Sequence, residues 1–329
     1  MLAPPLRWGV LAPGRIAASF VQAISANTRQ RVVAVGSRSV DRGQAFAAAH
    51  GVERSYSSYE QLVADPDVDV VYVASPHSEH RALALLAISA GKPVLVEKPF
   101  ARNAAEAQQV ALAAAAAGVA AMEAMWTRFL PQSDVIAQLL ADGVLGEVTT
   151  VLADHGQFFS YEPAGRLFNP ALAGGALLDL GIYPLSFASF VFGEPDEVVA
   201  KGSLTATGVD AQVSTLLIKG SAQACINTTL LAKTPTTASI SGTAGRLESS
   251  GPFYGPGTLT LSDNHDRRLV RDLDAITGHH AMCFEAAHLA TLIAQGATES
   301  PLLPLAETVS VLRTVDTIRG QIGFALPGE

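Results

Sequence analysis

Three side chains in this 329-residue sequence are of types that could move a proton at a reacting carbon: Lys98, Asp179 and Tyr183. Lys98 follows an apolar run (93–96), and an ammonium at the end of a buried strand is costly unless it meets a ligand or a carboxylate. Asp179 and Tyr183 are four residues apart, so they would share one face of a helix. The alternatives are structural: Lys98 pairs with Glu97 or extends into solvent, Asp179 caps a helix, and Tyr183 belongs to a core.

A turn near the N-terminus is suited to a dinucleotide. The fingerprint G-x-G-x-x-G/A is matched as Ala12-x-Gly14-x-x-Ala17, with alanine at the first glycine position, and it follows the first predicted strand as the motif requires. Gly14 lets the backbone approach a pyrophosphate, which would lie at the positive N-terminus of the next helix. The residues predicted to hold it are Ala12, Pro13, Gly14, Arg15 and Ile16. The alternative is an ordinary tight turn between a strand and a helix.

The second predicted strand ends in Ser37-Arg38, at the place where an Asp or Glu would bind the adenosine ribose of NAD. A hydroxyl and a guanidinium suit a phosphate instead, because arginine can donate two N–H groups to it. The sequence therefore predicts NADP as the cofactor. NAD is possible if Arg38 is only a solvated loop residue.

Polar residues also follow the next two buried strands. Because ligands of an open α/β sheet bind beyond the carboxyl ends of its strands, these residues are candidate cofactor contacts. They are Ser75, Pro76, His77 and His80 after one strand, and Glu97 with Lys98 after the other. No HExxH motif or carboxylate–histidine spacing accompanies the histidines, so we predict no metal site.

The elements that must position these groups follow two patterns. Through residue 126, short apolar strands alternate with helices, which predicts an α/β domain with a Rossmann-type, doubly wound parallel sheet. After it, longer strands joined by turns predict an α+β domain with one large, open-faced, mostly antiparallel sheet. We assign 1–126 to the NADP-binding domain and 127–329 to a substrate-binding and dimerisation domain, whose last helices could pack back on the first domain.

Composition excludes several classes of protein. A net charge of −8 provides no basic field for nucleic acid or anionic lipid. Two distant cysteines are too few for a disulfide framework or a zinc site and are typical of a reducing compartment. The longest apolar run (110–122) is shorter than the roughly 18 residues of a membrane span, and no signal peptide is apparent. We expect a soluble, cytoplasmic protein whose partner is a small molecule.

The motifs occur together and in order, and in this the chain resembles the glucose–fructose oxidoreductase/inositol dehydrogenase (Gfo/Idh/MocA) family, especially its dihydrodiol dehydrogenase and D-xylose dehydrogenase branch. The resemblance covers essentially the whole chain. It rests on WGVLAPGRIA, the strand end at 35–38, VLVEKPF, EAMWTRFLP, GGALLDLGIYP and the closing TESPLLPLAETVSVLRTVDTIRGQIGF. EKP followed by D-x-G-x-Y is more specific than a glycine fingerprint. Many relatives have histidine at the position of Tyr183, whereas the dihydrodiol branch has tyrosine.

The resemblance implies an oxidoreductase that transfers hydride between NAD(P) and a hydroxyl or carbonyl carbon of a sugar, polyol or cyclic diol. It also implies a homodimer formed through the open sheet. The residues that it implies are Lys98, Asp179 and Tyr183 for catalysis, His77 and His80 near the nicotinamide, Trp126 and Arg128 at the domain junction near the cofactor, and Phe159, Arg166 and His280 in the substrate pocket.

Physical roles follow for the three catalytic candidates. Tyr183, with a usual pKa of about 10, would act as general base or acid, and the Lys98 ammonium would favour its phenolate and stabilise a developing alkoxide. Asp179 would position the substrate and keep Lys98 protonated. The roles of Tyr183 and Lys98 could be exchanged. Two alternative functions are that of an NAD-dependent glycosidase of the same fold and that of a non-catalytic NADP sensor. A sensor would need none of Lys98, Asp179 and Tyr183.

Overall fold

The computed structural model describes residues 3–272 and 275–329, which divide into two compact units. The first unit is formed by the chain up to Phe129 together with Gly278–Val309. The second unit is formed by Leu130–Thr277 together with Ser310–Glu329.

The sheet of the first unit is fully parallel, with strand order β3-β2-β1-β4-β5-β6. Its strands are β1 (Arg7–Leu11), β2 (Arg31–Gly36), β3 (Arg54–Tyr56), β4 (Val70–Val73), β5 (Val94–Glu97) and β6 (Ala121–Ala124). The order reverses between β1 and β4, so the carboxyl ends of these strands form the crevice at which doubly wound sheets bind ligands. The predicted Rossmann-type sheet is confirmed.

Five helices connect these strands: α1 (Arg15–Asn27), α2 (Val40–His50), α3 (Tyr59–Val63), α4 (His80–Ser89) and α5 (Ala104–Ala117). The start of α5 shows how local sequence determines such an element. Asn103 accepts a hydrogen bond from the Glu106 N–H at 2.8 Å, while the Glu106 carboxylate accepts from the Arg102 N–H. Gly118 ends the helix in the left-handed conformation.

Aromatic side chains form the core beneath the central strands of the first unit. The rings of Phe20 and Tyr72 are stacked with centroids 4.0 Å apart, and Trp8 meets Phe20 edge to face. The indole N–H of Trp8 donates to the side-chain oxygen of Gln30 at 2.9 Å, which satisfies the polar atom of a fully buried ring. This core supports α1, whose N-terminus faces the predicted cofactor turn.

The second unit contains an eight-stranded sheet with the order β14-β13-β12-β11-β7-β10-β9-β8. It begins with α6 (Pro131–Ala141), and its further elements are β7 (Val148–Gly156), α7 (Ile182–Phe192), β8 (Glu197–Leu204), β9 (Asp210–Lys219), β10 (Ala222–Thr229), β11 (Ala238–Gly242), β12 (Gly245–Ser249), β13 (Thr258–Asp263) and β14 (Arg268–Asp272). Only β7 and β10 pair in parallel, so the predicted mostly antiparallel sheet is confirmed.

One face of this sheet is covered and the other is open. On β7, Val151 and Ala153 are buried, whereas Leu152 between them is 49% exposed. This is the period-two alternation of a sheet that packs on one side only. Helix α7 packs against β7 and β10 on the covered face.

Two helices close the chain, α8 (Met282–Ala294) and α9 (Leu305–Ile322). Within the first unit, α8 packs against α1. The stretch Pro170–Phe192 has a mean hydropathy of 1.5 in its most apolar window and is apolar enough to cross a membrane by composition. However, 78% of that window is buried inside the fold. The stretch is also divided into a 3₁₀ turn, a π turn and α7, and we therefore interpret it as a core segment of the second unit.

Candidate active site

The turn between β1 and α1 fits the pyrophosphate of a dinucleotide. Gly14 is the N-cap of α1 and, as a glycine, offers no side-chain oxygen to the first N–H groups of that helix. A Cβ on Gly14 would meet no atom within 4 Å, so the backbone is open to a ligand on this side. The first turn contains no acidic residue, and Arg15 there is exposed. Pro13 is buried, while Ala12 and Ile16 are partly exposed at the same turn.

Ala12, at the first glycine position of the fingerprint, has a positive φ of 67°. Its N–H donates to the carbonyl of Gly36 at 3.0 Å, which ties the turn to the end of β2. A side chain in the left-handed region costs roughly 1–2 kcal/mol relative to the ordinary helical region. The turn therefore keeps the shape of the fingerprint although the glycine is missing.

The end of β2 has the composition expected of a site for a 2′-phosphate. Ser37 is buried and Arg38 is exposed. The Arg38 guanidinium acts on the phenol of Tyr59, where it partly opposes the rise in pKa that burial causes. Arg42, which the sequence analysis did not single out, lies on the first turn of α2 and donates to the carbonyl of Pro13 at 3.4 Å.

A signal for Arg42 was present in the sequence. A cation in the first turn of a helix is opposed by the positive end of the helix dipole, so arginine is unfavourable there without an anionic partner. The first turn of α2 holds Asp41 as well as Arg42. With Ser39 as the N-cap, the segment presents both hydroxyl and guanidinium groups beside the dinucleotide turn.

His80 connects the loops that follow β4 and β5. Its Nδ1 lies 2.7 Å from the carbonyl of Pro99, and its Nε2 lies 2.9 Å from the carbonyl of Ser75. The ring is fully buried and its edge packs near His77, with centroids 5.6 Å apart. His80 therefore determines the relative position of the predicted nicotinamide loop and the residue after Lys98. Pro76 begins the short 3₁₀ turn His77–Glu79 that leads into α4.

Lys98 stands at the carboxyl end of β5 and is partly exposed, in contrast to the strand before it. Its neighbour Glu97 is buried and accepts a hydrogen bond from the hydroxyl of Tyr72. Backbone alternation and this bond direct Glu97 toward the core beside Tyr72. Lys98 is thus the polar side chain that lies at the carboxyl end of β5, at the edge of the sheet.

Trp126 and Arg128 lie in a 3₁₀ turn after β6 and are both buried. Arg128 donates to the carboxylate of Glu307 at 2.6 Å and to the carbonyl of Leu302 at 2.7 Å, both in the first unit. Trp126 stacks on His279 with ring centroids 5.6 Å apart. The arginine therefore organises the chain around residues 302–307, a role that the sequence analysis did not assign to it.

Two buried carboxyl groups of the first unit were also not anticipated. Burial raises the pKa of Glu123 to about 7, although hydrogen bonds from Thr308 and the Phe100 N–H lower it. Burial and the charges of Glu97 and Glu123 raise the pKa of Glu285 well above its usual value. Among residues 3–272 and 275–329, no group hydrogen-bonds to the Glu285 carboxyl, so no donor offsets the cost of burying its charged form.

In the second unit, Asp179 and Tyr183 lie on one helical segment. Asp179 belongs to the π turn Leu177–Gly181, and Tyr183 follows in the first turn of α7. A π turn takes backbone carbonyls out of the regular helical pattern, and side chains bind them here. His155 Nδ1 lies 3.2 Å from the carbonyl of Leu180, and the Thr228 hydroxyl donates to the carbonyl of Ala176 at 3.3 Å.

Asp179 is ion-paired with Arg166, one of the predicted substrate residues. The Arg166 Nη1 donates to Asp179 Oδ1 at 2.9 Å, with the Asp179 side chain 11% and the Arg166 side chain 41% exposed. Gly174 permits this arrangement, because a Cβ there would lie 2.6 Å from the Arg166 carbonyl. The carboxylate that we expected to act on Lys98 thus has a cationic partner within its own unit.

Tyr183 is part of an aromatic cluster with Tyr254 and His155. The rings of Tyr183 and Tyr254 are stacked with centroids 4.5 Å apart, and His155 lies 4.6 Å from Tyr254. Burial and the charge of Asp179 raise the pKa of Tyr254, while a hydrogen bond from Gln157 lowers it. Sequence analysis missed Tyr254 because nothing in the turn Phe253–Pro256 distinguishes it from an ordinary loop aromatic.

The two other predicted substrate residues have different surroundings. Phe159 is partly buried and packs on a small apolar cluster of the second unit that contains Phe168 and Leu180. His280 is exposed, belongs to the first unit and lies 3.3 Å from the amide nitrogen of Asn27. Among the residues that the structure describes, no group of three His, Cys, Asp or Glu side chains could hold a metal ion.

Comparison with known proteins identifies relatives of both units. A model of an oxidoreductase family with an NAD-binding Rossmann fold, GFO_IDH_MocA, matches residues 6–125, and a model of the GFO/IDH/MocA C-terminal domain matches residues 134–248. The sequence is 36% identical over 332 residues to trans-1,2-dihydrobenzene-1,2-diol dehydrogenase of Macaca fuscata fuscata, covering 98% of this chain and 99% of that one.

Two solved structures have the same fold over nearly their whole length. One is the aldose-aldose oxidoreductase of Caulobacter crescentus complexed with glycerol, with a TM-score of 0.86, 26% identity and 97% of both chains covered. The other is a 3-ketoreductase of Actinomadura kijaniata in complex with NADP and TDP-benzene, with a TM-score of 0.85, 26% identity, and 97% of this chain and 98% of that chain covered.

Proposed function

Because this chain belongs to the Gfo/Idh/MocA family of NAD(P)-dependent oxidoreductases, we propose that it is an NADP-preferring dehydrogenase that oxidises a hydroxyl of a vicinal diol or a sugar. The observation that carries the proposal is the arrangement of Tyr183 beside the ion pair of Asp179 with Arg166 on an anchored helical segment. This is a proton-transfer group next to a polar pair that can bind a second hydroxyl. The named relatives act on substrates with adjacent oxygens, namely a diol and aldoses.

The chemistry needs a proton acceptor and a cation at one substrate oxygen. When bound, NADP supplies the hydride acceptor at its nicotinamide ring. Tyr183 takes the hydroxyl proton, and the ammonium of Lys98 stabilises negative charge on the same oxygen.

Asp179 and Arg166 orient the substrate in this scheme. Asp179 is ion-paired with Arg166, and because a carboxylate has several acceptor positions it can also accept a hydrogen bond from the neighbouring hydroxyl of a diol. Arg166 is exposed enough to donate to the same substrate. A pair of hydroxyls on adjacent carbons can use both groups at once, and this favours diols over simple alcohols.

Preference for NADP is supported by the groups at the end of β2. Ser37, Arg38 and Arg42 offer a hydroxyl and two guanidiniums, and the ribose position itself carries no carboxylate. Arginine binds phosphate through paired N–H groups. We expect Arg42→Ala to raise the KM for NADP about 10- to 150-fold, as for loss of a charged hydrogen bond, and to leave the KM for NAD within 2-fold. An equal increase in the KM for NADP and for NAD would contradict the assignment of Arg42 to the 2′-phosphate of NADP.

The function is tested by following reduced cofactor spectrophotometrically with NADP and a panel of trans-1,2-diols, aldoses and inositols. We expect net reduction with at least one of them. Lys98→Met and Tyr183→Phe should each lower kcat at least 100-fold with cofactor binding retained, while the exposed hairpin variant Lys219→Met should keep full activity. Near-normal turnover in either catalytic variant would contradict the assigned roles.

The same assay separates the two alternative functions. A glycosidase that oxidises its substrate only transiently would cleave a glycoside without accumulating reduced cofactor. A sensor would bind NADP but turn over no member of the panel.

We further propose that a second copy of the chain covers the open face of the large sheet. One row of paired residues crosses all eight strands on this face: Val199, Leu216, Cys225, Leu152, Ser239, Glu248, Thr260 and Val270. Val199 and Leu152 are 44 and 49% exposed, and Leu216 and Cys225 lie between them in the row, so this part of the face is a contiguous apolar patch of the kind that marks an interaction surface.

In a two-fold dimer each substitution is present on both sides of the interface, so a single charged substitution places two charges in it. We expect light scattering to show a dimer for the wild type and a monomer for Leu152→Asp. Exchange of Leu112, an exposed residue of the first unit, for Asp should leave the dimer intact. A monomeric wild type would refute this part of the proposal.

A further inference from the structure

A buried carboxylate on the large sheet holds the start of the segment that carries the catalytic side chains. Asp210, the first residue of β9, is fully buried, and its Oδ2 accepts a hydrogen bond from the Leu177 N–H at 2.6 Å. Leu177 begins the π turn that contains Asp179 and leads into Tyr183. We propose that Asp210 is a positioning residue for the reaction, which it serves by anchoring the helical segment of Asp179 and Tyr183. This inference rests on the proposed function.

Gly175 shows how closely the backbone approaches this carboxyl group. A Cβ at this position would lie 2.0 Å from Asp210 Oδ1, and the residue has a φ of 120°, which side chains other than glycine rarely adopt. Gly175 and Asp210 are 35 positions apart in the sequence, and the fold brings this glycine and the aspartate at the start of β9 together in one contact. The contact places the N-terminus of the catalytic segment directly against β9.

The chemistry of the contact favours a charged anchor. Backbone N–H groups at the start of a helical segment carry the positive end of its dipole, and an anion bound there holds the segment more strongly than a neutral group. An anion within the fold is costly, so a purely structural cap would be better served by Asn or Ser. The charge of Asp210 thus lowers the stability of the fold but holds the segment that begins at Leu177 more firmly.

The electrostatic surroundings indicate the pH range in which the anchor is charged. Burial raises the pKa of Asp210 to about 6, while the amides of Leu177 and Ala176 and the charge of Arg319 lower it. Arg319, on α9, is itself bound by Asp316 and Glu329. The folded-state pKa lies above the ordinary value of 3.8, so the ionised form destabilises the fold above pH 6 while it binds the segment best.

Asp210→Asn tests the proposal because it keeps an oxygen for Leu177 and removes the charge. At pH 8 we expect kcat to fall about 10-fold, the KM for NADP to stay within 2-fold and the unfolding midpoint to be no lower than that of the wild type. The ratio of wild-type to variant kcat should decline from about 10 at pH 8 to about 2 at pH 5, where about a tenth of Asp210 is still ionised. Taking the ratio cancels titrations that both proteins share.

Asp196→Asn is the matched control. Asp196 is an exposed aspartate of the same unit that also accepts a hydrogen bond from a backbone N–H, that of Gly220 at 2.9 Å, but it lies at a hairpin. The Asp196→Asn substitution should change neither kcat nor the pH dependence of kcat. A kcat ratio for Asp210→Asn that does not vary with pH, or a loss of kcat matched by a lower unfolding midpoint, would overturn the positioning role.

Amide hydrogen exchange separates this inference from the proposed function. At pH 8, residues 177–181 should exchange faster in Asp210→Asn than in the wild type, whether or not a substrate has been found. In the wild type alone, protection of this segment relative to β9 should weaken as the pH falls from 8 to 5. Unchanged exchange in both comparisons would overturn the anchor, whereas absence of turnover with normal anchoring would count against the proposed function only.

Discussion

Replacement of Glu123 by Gln should stabilise the first unit, and by an amount that depends on pH. Glu123 is 5% exposed on β6, and burial raises the pKa of its carboxyl from 4.5 to about 7. Its Oε1 accepts from the Phe100 N–H at 3.1 Å and its Oε2 accepts from the Thr308 hydroxyl at 3.0 Å. A Gln amide can keep both contacts, since its oxygen can face Phe100 and its NH₂ can donate to the Thr308 hydroxyl.

The size of the effect follows from the pKa. Because the folded-state pKa lies above the unfolded value, the folded state binds more protons between pH 4.5 and about 7, and stability falls as the pH rises through this range. At about 1.4 kcal/mol per pH unit, the ionised carboxylate costs about 3 kcal/mol above pH 7. Glu123→Gln should therefore match the wild type near pH 4.5 and exceed its free energy of unfolding by about 2–3 kcal/mol at pH 8.

Tryptophan fluorescence reports this unit selectively, because both tryptophans of the chain, Trp8 and Trp126, belong to it. Urea unfolding of wild type and Glu123→Gln at pH 5 and pH 8 gives the difference directly. Exchange of the exposed Glu53 for Gln is the control and should change little at either pH. If the gap between Glu123→Gln and the wild type were the same at both pH values, the carboxyl would not titrate in this range and the reasoning would be wrong.

Two further variants test local features of the site. Ala12→Gly should relieve the positive φ of 67° and raise the free energy of unfolding by about 0.5–1 kcal/mol, since the strain removed exceeds the chain entropy that glycine adds; a lower midpoint in the same fluorescence assay would contradict this. Tyr254→Ala should lower kcat/KM about 2- to 12-fold by removing the ring stacked on Tyr183, corresponding to about 0.5–1.5 kcal/mol, whereas Tyr254→Phe should stay within 2-fold. Equal losses in both would assign the effect to the hydroxyl instead of the ring.

Elements with a strong periodic pattern were predictable, and short polar ones were not. The apolar, β-branched run of β4 required burial on both faces, and the parallel sheet followed from its repetition along the chain. In contrast, β3 and α3 have three and five residues with mixed polarity, too few to show a period. The sequence analysis considered Asp179 and Tyr183 on one helical face but did not predict the π turn Leu177–Gly181, whose backbone is bound by side chains of β7 and β9.

The candidate site divides in the same way. Residues that the backbone itself presents, such as Gly14 at a helix start and Lys98 at a strand end, were identifiable by their position after predicted strands. Tyr254 and Glu123 could not be identified, because the roles of both depend on contacts with residues 71 or more positions away in sequence, Tyr183 and Thr308. Arg42 lies between these cases, since its unfavourable place in a first helical turn was visible but its bond to Pro13 was not.

By itself, the sequence determined the alternation of strands and helices in the first unit apart from β3 and α3, the dinucleotide turn and the residue types able to move a proton, since these depend on neighbours within a few positions. The tertiary structure alone decided that Asp179 is bound to Arg166, that Asp210 holds the start of the helical segment of Asp179 and Tyr183, and that Glu123 and Glu285 are buried carboxyls. The physical reason is that charge, burial and hydrogen bonding act over distances of a few ångströms in space. The groups that set these quantities come from distant parts of the chain. No local sequence pattern shows that these parts come together in the fold.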